Sequence, residues 1–122
     1  MLSDETYAEL ESIVGEDNIS REPAIMETYA FQYIAEIIVG DSYMGRPCAV
    51  VLPSNTREVQ AIVHLCNREG IKYKAISTGW GAYGAAPGDG LLQLDLRRMN
   101  RIIKIDTNNM YAVVEPYVVG TT

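Results

Sequence analysis

A chain of 122 residues is the size of one domain, and at that length folding removes about two thirds of the unfolded surface from water, enough for a core. Hydrophobic residues make up 48% and charged residues 21%, with a mean hydropathy of −0.03, a balance that excludes a disordered chain. Ten Lys and Arg against sixteen Asp and Glu leave a net charge of −6, which repels a phosphate backbone and argues against a nucleic-acid partner.

The longest apolar runs, such as Ile34 to Val39 with Glu36 inside it, fall short of the roughly 20 residues that a membrane span requires. The start, Met1-Leu2-Ser3-Asp4-Glu5, is acidic and lacks the basic and apolar regions of a secretory signal, so the expected location is cytoplasmic. Cys48 and Cys66 match no metal-ligand spacing and stand in apolar settings, where a thiol behaves as a small hydrophobe. His64 is the only histidine, on what reads as the polar face of a helix, and no metal site is expected.

Ser3 and Asp4 suit a helix cap, Tyr7, Leu10 and Val14 recur at helical spacing, and Gly15 ends the run, predicting a short amphipathic helix. Pro23 followed by Ile25, Met26 and Tyr29 predicts a second helix, and Phe31 to Val39 fits either a helix or a strand. Ala49-Val50-Val51-Leu52, closed by Pro53, reads as a buried strand. Asn55 with Glu58 three positions on has the pattern of a capping box. Val59, Ile62, Val63 and Cys66 give one apolar face, and Gly70 gives the stop. Ile71 to Ser77 reads as a second strand, so strand, helix and strand follow within about thirty residues, the length of a parallel crossover unit. Leu91 to Asp95, Ile102 to Asp106 and Tyr111 to Glu115 are three further short strands, the last two joined by Thr107-Asn108-Asn109 as a hairpin. The expected fold is α/β: N-terminal helices, then a small parallel βαβ unit with an antiparallel extension.

Between the second and third strands, residues 78 to 90 hold five glycines. Gly79-x-Gly81-x-x-Gly84 has the spacing of a dinucleotide fingerprint, but Pro87, Gly88 and Gly90 forbid the helix that the Rossmann version needs. Asp106, some twenty residues further on, is therefore not read as a ribose-binding acid. Two readings of the loop stand: tight turns that serve strand packing, or successive free N–H groups forming an anion nest, with the Ser77 and Thr78 hydroxyls beside it. Arg97, Arg98 and Arg101 read as a solvated edge, and Asp95 and Asp106 as turn caps.

Several ordered segments together resemble the FAD-dependent oxidoreductases of the p-cresol methylhydroxylase and vanillyl-alcohol oxidase type, with their glycolate oxidase and D-lactate dehydrogenase relatives. They are Ile13 to Ile19, Pro47 to Gly70, Ala75 to Gly79 with Tyr83 to Pro87, Leu94 to Asp106, and Tyr111 to Pro116. The resemblance implies that Ser77, Thr78, Gly79, Trp80, Gly81, Ala82, Tyr83 and Gly84 wrap the diphosphate of FAD, with Glu115 and Pro116 shaping the neighbouring wall. It implies no catalytic residue in this stretch. Residues 1–44 would be an N-terminal helical segment and 45–122 the first subdomain of the FAD-binding domain, without its second subdomain or a substrate domain.

The function so implied is a diphosphate-gripping part of a flavin-dependent oxidoreductase acting on an alcohol, a 2-hydroxy acid or a hydroxylated aromatic. It would not be active alone, and a larger chain, or further copies of this one, would complete it. Tyr117 stands where the family usually has glycine, and Trp80 lies inside the loop. Those two rings motivate the alternative of a non-catalytic scaffold that kept the fold. A third reading, a free-standing binder of a smaller nucleotide, needs only the loop.

Overall fold

The computed structural model describes residues 2–30, 45–78 and 90–120. Helix α1, Asp4–Val14, begins where the Ser3 hydroxyl accepts the Thr6 backbone N–H, and it ends at Gly15, whose φ of 91° is a conformation that side chains disfavour. Leu10 and Val14 enter the core and Tyr7 packs at its margin, as the spacing predicts. Strand β1, Ile19–Ser20, has only two residues and gives no alternation to read; it pairs antiparallel with β2, Ala49–Val51. Helix α2, Pro23–Thr28, carries its proline in the first turn and buries Met26. The ambiguous stretch from Phe31 to Val39 lies outside the described residues.

All three residues of β2 are buried. Helix α3, Thr56–Glu69, follows, and the Asn55 side-chain Oδ1 accepts the Glu58 N–H at 3.0 Å. The Glu58 carboxylate reaches one residue further back than a capping box requires, taking the Ser54 N–H at 2.7 Å and its hydroxyl at 3.0 Å. Gly70 closes the helix in the left-handed conformation, φ 67°. The buried stripe is Ile62, Leu65 and Cys66; Val59 and Val63, expected on that face, are only half-buried at its flanks. Burial pushes the Cys66 thiol up to about 11, with the nearby Cys48 thiol adding to the effect, so it remains a protonated hydrophobe.

Strand β3 is Tyr73–Ile76 and strand β4 is Leu92–Asp95; the sheet order is β1-β2-β4-β3. Here the expected arrangement is corrected. The strands of the crossover unit do not neighbour each other: β4, expected in the antiparallel extension, lies between them and is parallel to both. Its central place explains why all four of its residues are buried while β3, at the edge, is half open. Leu92 and Leu94 join the core formed by α1 and α3. Strand alternation then sends Gln93 and Asp95 to the opposite face.

Strands β5, Ile102–Asp106, and β6, Tyr111–Val114, form the expected hairpin, with a bulge at Ile103. Its turn is one residue longer than the composition suggests, running to Met110 in the left-handed region at φ 56°. The Asp106 carboxylate accepts the Asn109 N–H at 2.9 Å and stiffens the turn. At the open end Arg101 donates its backbone N–H to Glu115 Oε2 at 2.8 Å and its Nε to Oε1 at 3.0 Å. Among the described residues, no helix is long and apolar enough to cross a membrane.

Candidate cofactor site

Parallel strands β2, β4 and β3 end on the same side of the sheet, and in open α/β sheets ligands bind beyond those carboxyl ends. Ser77 and Thr78 leave β3 there, and Asp95 closes β4. A 3-10 turn, Leu96–Arg98, follows at once and sends its two arginines in different directions. Arg98 Nη1 donates to the Leu52 carbonyl at 2.7 Å, occupying the end of β2. Arg97 turns toward β3 and a cavity of about 280 Å³ lined by Ser77, Thr78, Gln93, Asp95, Arg97, Tyr29 and Tyr117.

Asp95 organises this cavity. Its Oδ1 accepts the Arg97 backbone N–H at 3.0 Å, which is the turn-capping role read from the sequence. Its Oδ2 accepts three further donors: the Tyr29 hydroxyl at 2.7 Å, Arg97 Nε at 2.9 Å and Arg97 Nη2 at 2.6 Å. Burial alone would raise the Asp95 carboxyl, but the hydrogen bonds from Arg97 and Tyr29 outweigh it and hold the group below the usual carboxylate range. Burial and the bond to Asp95 push Tyr29 up to about 12.

A raised tyrosine pKa means that the fold favours the protonated phenol. Its contribution is complete below the unfolded value near 10 and is lost as pH rises toward 12. Urea midpoints should therefore fall across that alkaline window, and the Tyr29→Phe variant should lose this part of the decline. An unchanged alkaline limb in the variant would rule out the Tyr29–Asp95 bond as its source.

The three arginines, expected as a solvated edge, each have a specific acceptor: Asp95 for Arg97, the Leu52 carbonyl for Arg98 and Glu115 for Arg101. Of the anticipated binding residues, Ser77 and Thr78 line the cavity, with neither hydroxyl bonded among the described residues. Gly79, Trp80, Gly81, Ala82, Tyr83 and Gly84 lie outside the described residues. Glu115 is committed to Arg101 and Pro116 is exposed; neither lines the cavity, whereas the next residue, Tyr117, does. Tyr29, Gln93 and Arg97 were not picked out as site residues. The available signal was a glutamine inside the apolar run Leu91-Leu92-Gln93-Leu94, since a polar side chain in a central strand needs a polar neighbour. Gln93 finds one in the Lys74 carbonyl, to which its Nε2 donates at 2.9 Å.

A larger cavity of about 480 Å³ lies at the opposite, amino end of the strands, with Ser3, Thr6, Cys48 and Lys72 in its walls. Burial raises the Cys48 thiol there, and none of the anticipated binding residues lines it.

The model for a family described as FAD binding domain matches residues 47–121. The chain belongs to that family. This FAD-binding domain is 34% identical over 108 residues to the flavoprotein subunit of 4-cresol dehydrogenase (hydroxylating) from Pseudomonas putida, an alignment covering 86% of the chain and 20% of that protein. It is 27% identical over 120 residues to a glycolate oxidase subunit from Bacillus subtilis, covering 98% of the chain and 24% of that protein. Among solved structures, p-cresol methylhydroxylase with substrate bound superposes with a TM-score of 0.81 at 32% identity, over 94% of this chain and 22% of that one. The FAD-binding domain thus spans about a fifth to a quarter of the length of the relatives it matches. The resemblance, the α/β fold and the FAD cofactor expected from the sequence are borne out.

The residues present fit part of such a cofactor. A cavity of about 280 Å³ is below the roughly 300–1,000 Å³ of sites that enclose a whole small molecule, so it suits one segment of a dinucleotide. Two hydroxyls without a partner among the described residues, and a guanidinium, at the carboxyl end of parallel strands suit the phosphate segment.

Proposed function

We propose that this FAD-binding domain grips the diphosphate of FAD for a flavin-dependent oxidoreductase acting on an alcohol, a 2-hydroxy acid or a hydroxylated aromatic. The observation that carries the reading is the cavity at the carboxyl ends of β3 and β4, with Ser77 and Thr78 in its wall where the glycine-rich stretch departs. On this reading residues 77–84 bind the phosphates, Glu115 and Pro116 border them, and no residue of the chain is catalytic. Residues 45–122 form the first subdomain and 1–44 the segment preceding it. A larger chain, or further copies of this one, supplies the isoalloxazine and substrate pockets, in the cytoplasm.

FAD, when bound, supplies the hydride chemistry. The protein's share is to orient the nucleotide. Asp95 and Tyr29 hold the cavity wall rigid, the hydroxyls of Ser77 and Thr78 are available to phosphate oxygens, and Gln93 fixes the β3 backbone beneath them.

The test is an absorbance spectrum of the protein purified from its source, with mass spectrometry of every co-purifying chain. Flavin bands with a stoichiometric larger partner are the expected result. A colourless protein that stays colourless with added FAD, and has no partner, would favour the scaffold reading, for which Tyr117 in the cavity wall is the supporting observation.

A further inference from the structure

Arg97 is the sole cation among the described residues lining the carboxyl-end cavity, on a chain whose net charge of −6 otherwise repels phosphate. Its guanidinium is fixed from one side. Nε and Nη2 both donate to Asp95 Oδ2, and its own backbone N–H donates to Oδ1 of the same carboxylate. Tyr29 completes the brace, donating to Oδ2 at 2.7 Å and standing 3.4 Å from Nη2. Nη1 has no acceptor among the described residues, and the Arg97 side chain is 54% exposed against 4% for Asp95. The outward edge of a planar, five-donor group is therefore held toward the cavity with its rotamer already chosen, so less conformational entropy is lost on binding an anion.

A carboxylate so close to an anion site would normally repel the ligand. Here Asp95, although it lines the cavity, is buried and has both oxygens engaged by donors. Its charge is balanced by the guanidinium that it holds, and its work is to aim Arg97.

We infer that Arg97 is a phosphate-binding residue of this site, positioned by Asp95 and Tyr29, and that its ligand is the diphosphate of a nucleotide. The inference rests on reading this cavity as the diphosphate end of the FAD site, and it assigns the charge contact to a side chain beyond the glycine-rich stretch.

Calorimetric titration of the purified full chain with FAD, ADP, inorganic pyrophosphate and riboflavin tests it, using wild type, Arg97→Gln and Arg97→Lys. Loss of one charged hydrogen-bonding group should weaken FAD, ADP and pyrophosphate by about tenfold to a hundredfold, leave any riboflavin binding unchanged and flatten the salt dependence. Arg97→Lys should recover part of the affinity, since it keeps the charge and loses the fork. A purely structural arginine would instead weaken every ligand alike with an unchanged salt slope. That result, or a glutamine variant that binds pyrophosphate as wild type does, overturns the inference. Should the glutamine variant not fold, the lysine variant alone decides: full wild-type affinity for pyrophosphate overturns the assignment, and partial loss supports it. Wild-type binding of pyrophosphate but not FAD, abolished in Arg97→Gln, would uphold the arginine and sink the FAD reading. Unchanged FAD affinity in both variants would do the reverse. A wild type that binds neither overturns both.

Discussion

Replacing Leu94 with alanine should lower the unfolding free energy by about 3 kcal/mol, within the 2–5 kcal/mol typical of a buried leucine truncation. Leu94 is 1% exposed and sits on β4, between Val51 of β2 and Ala75 of β3. It also belongs to the cluster that holds α1 and α3 to the sheet, with Leu10, Ile62 and Leu65. Domains of this size are held by about 5–15 kcal/mol, so the loss is a large share of the whole. Urea denaturation should show a lower midpoint with an unchanged slope. A loss below about 1 kcal/mol would mean that β4 is not packed as the central strand.

The second large effect is expected at Asp95, where alanine should cost about 2 kcal/mol. The carboxylate accepts four hydrogen bonds, and its removal leaves the half-buried Tyr29 hydroxyl without its acceptor and the Leu96–Arg98 turn without its cap. Arg97 is more than half exposed and recovers water, which keeps the figure below that of a fully buried ion pair. The pH dependence identifies the source. Because the folded pKa of Asp95 is depressed, its contribution is complete above the unfolded value near 3.8 and is lost as pH falls through the lower folded value. The gap between wild type and Asp95→Ala should therefore be constant near neutrality and narrow in acid. A gap that persists unchanged to the lowest measurable pH would assign the cost to shape and not to charge.

Local features of the fold were legible because their causes are local. Ser3 and Gly15 bracket α1, Asn55 and Gly70 bracket α3, and Asn108-Asn109 turn the hairpin, each through contacts a few residues apart. Strand order was not, because pairing of Ala49 with Leu92 depends on which distant segment best fills the slot, and the run Leu92-Gln93-Leu94-Asp95 alternates like a half-solvated strand. Its alternation has another origin: one face meets the core and the other meets the site. Arg97 and Arg101 are exposed, as the reading of a solvated edge expects, but the arginines' acceptors were not legible, for a related reason. Arg98 finds a backbone carbonyl at Leu52, and no pattern of charges announces a carbonyl acceptor. At the cavity, Ser77 and Thr78 stand out in the sequence by the glycines after them, whereas Tyr29 is brought in from a helix end far away in sequence.

Strand order also dictates when this sheet can exist. Strands β2 and β3 each pair in parallel with β4 and not with each other, and β4 is the last of the four to be synthesised. Until Leu92–Asp95 has left the ribosome, β2 has, among the described residues, only the two-residue partner β1, and β3 has none. Both parallel ladders join segments distant in sequence, the kind of pairing that slows folding. A chain ending just before Leu92 would lack the central strand to which β2 and β3 pair in parallel, leaving apolar strands without the scaffold that joins them.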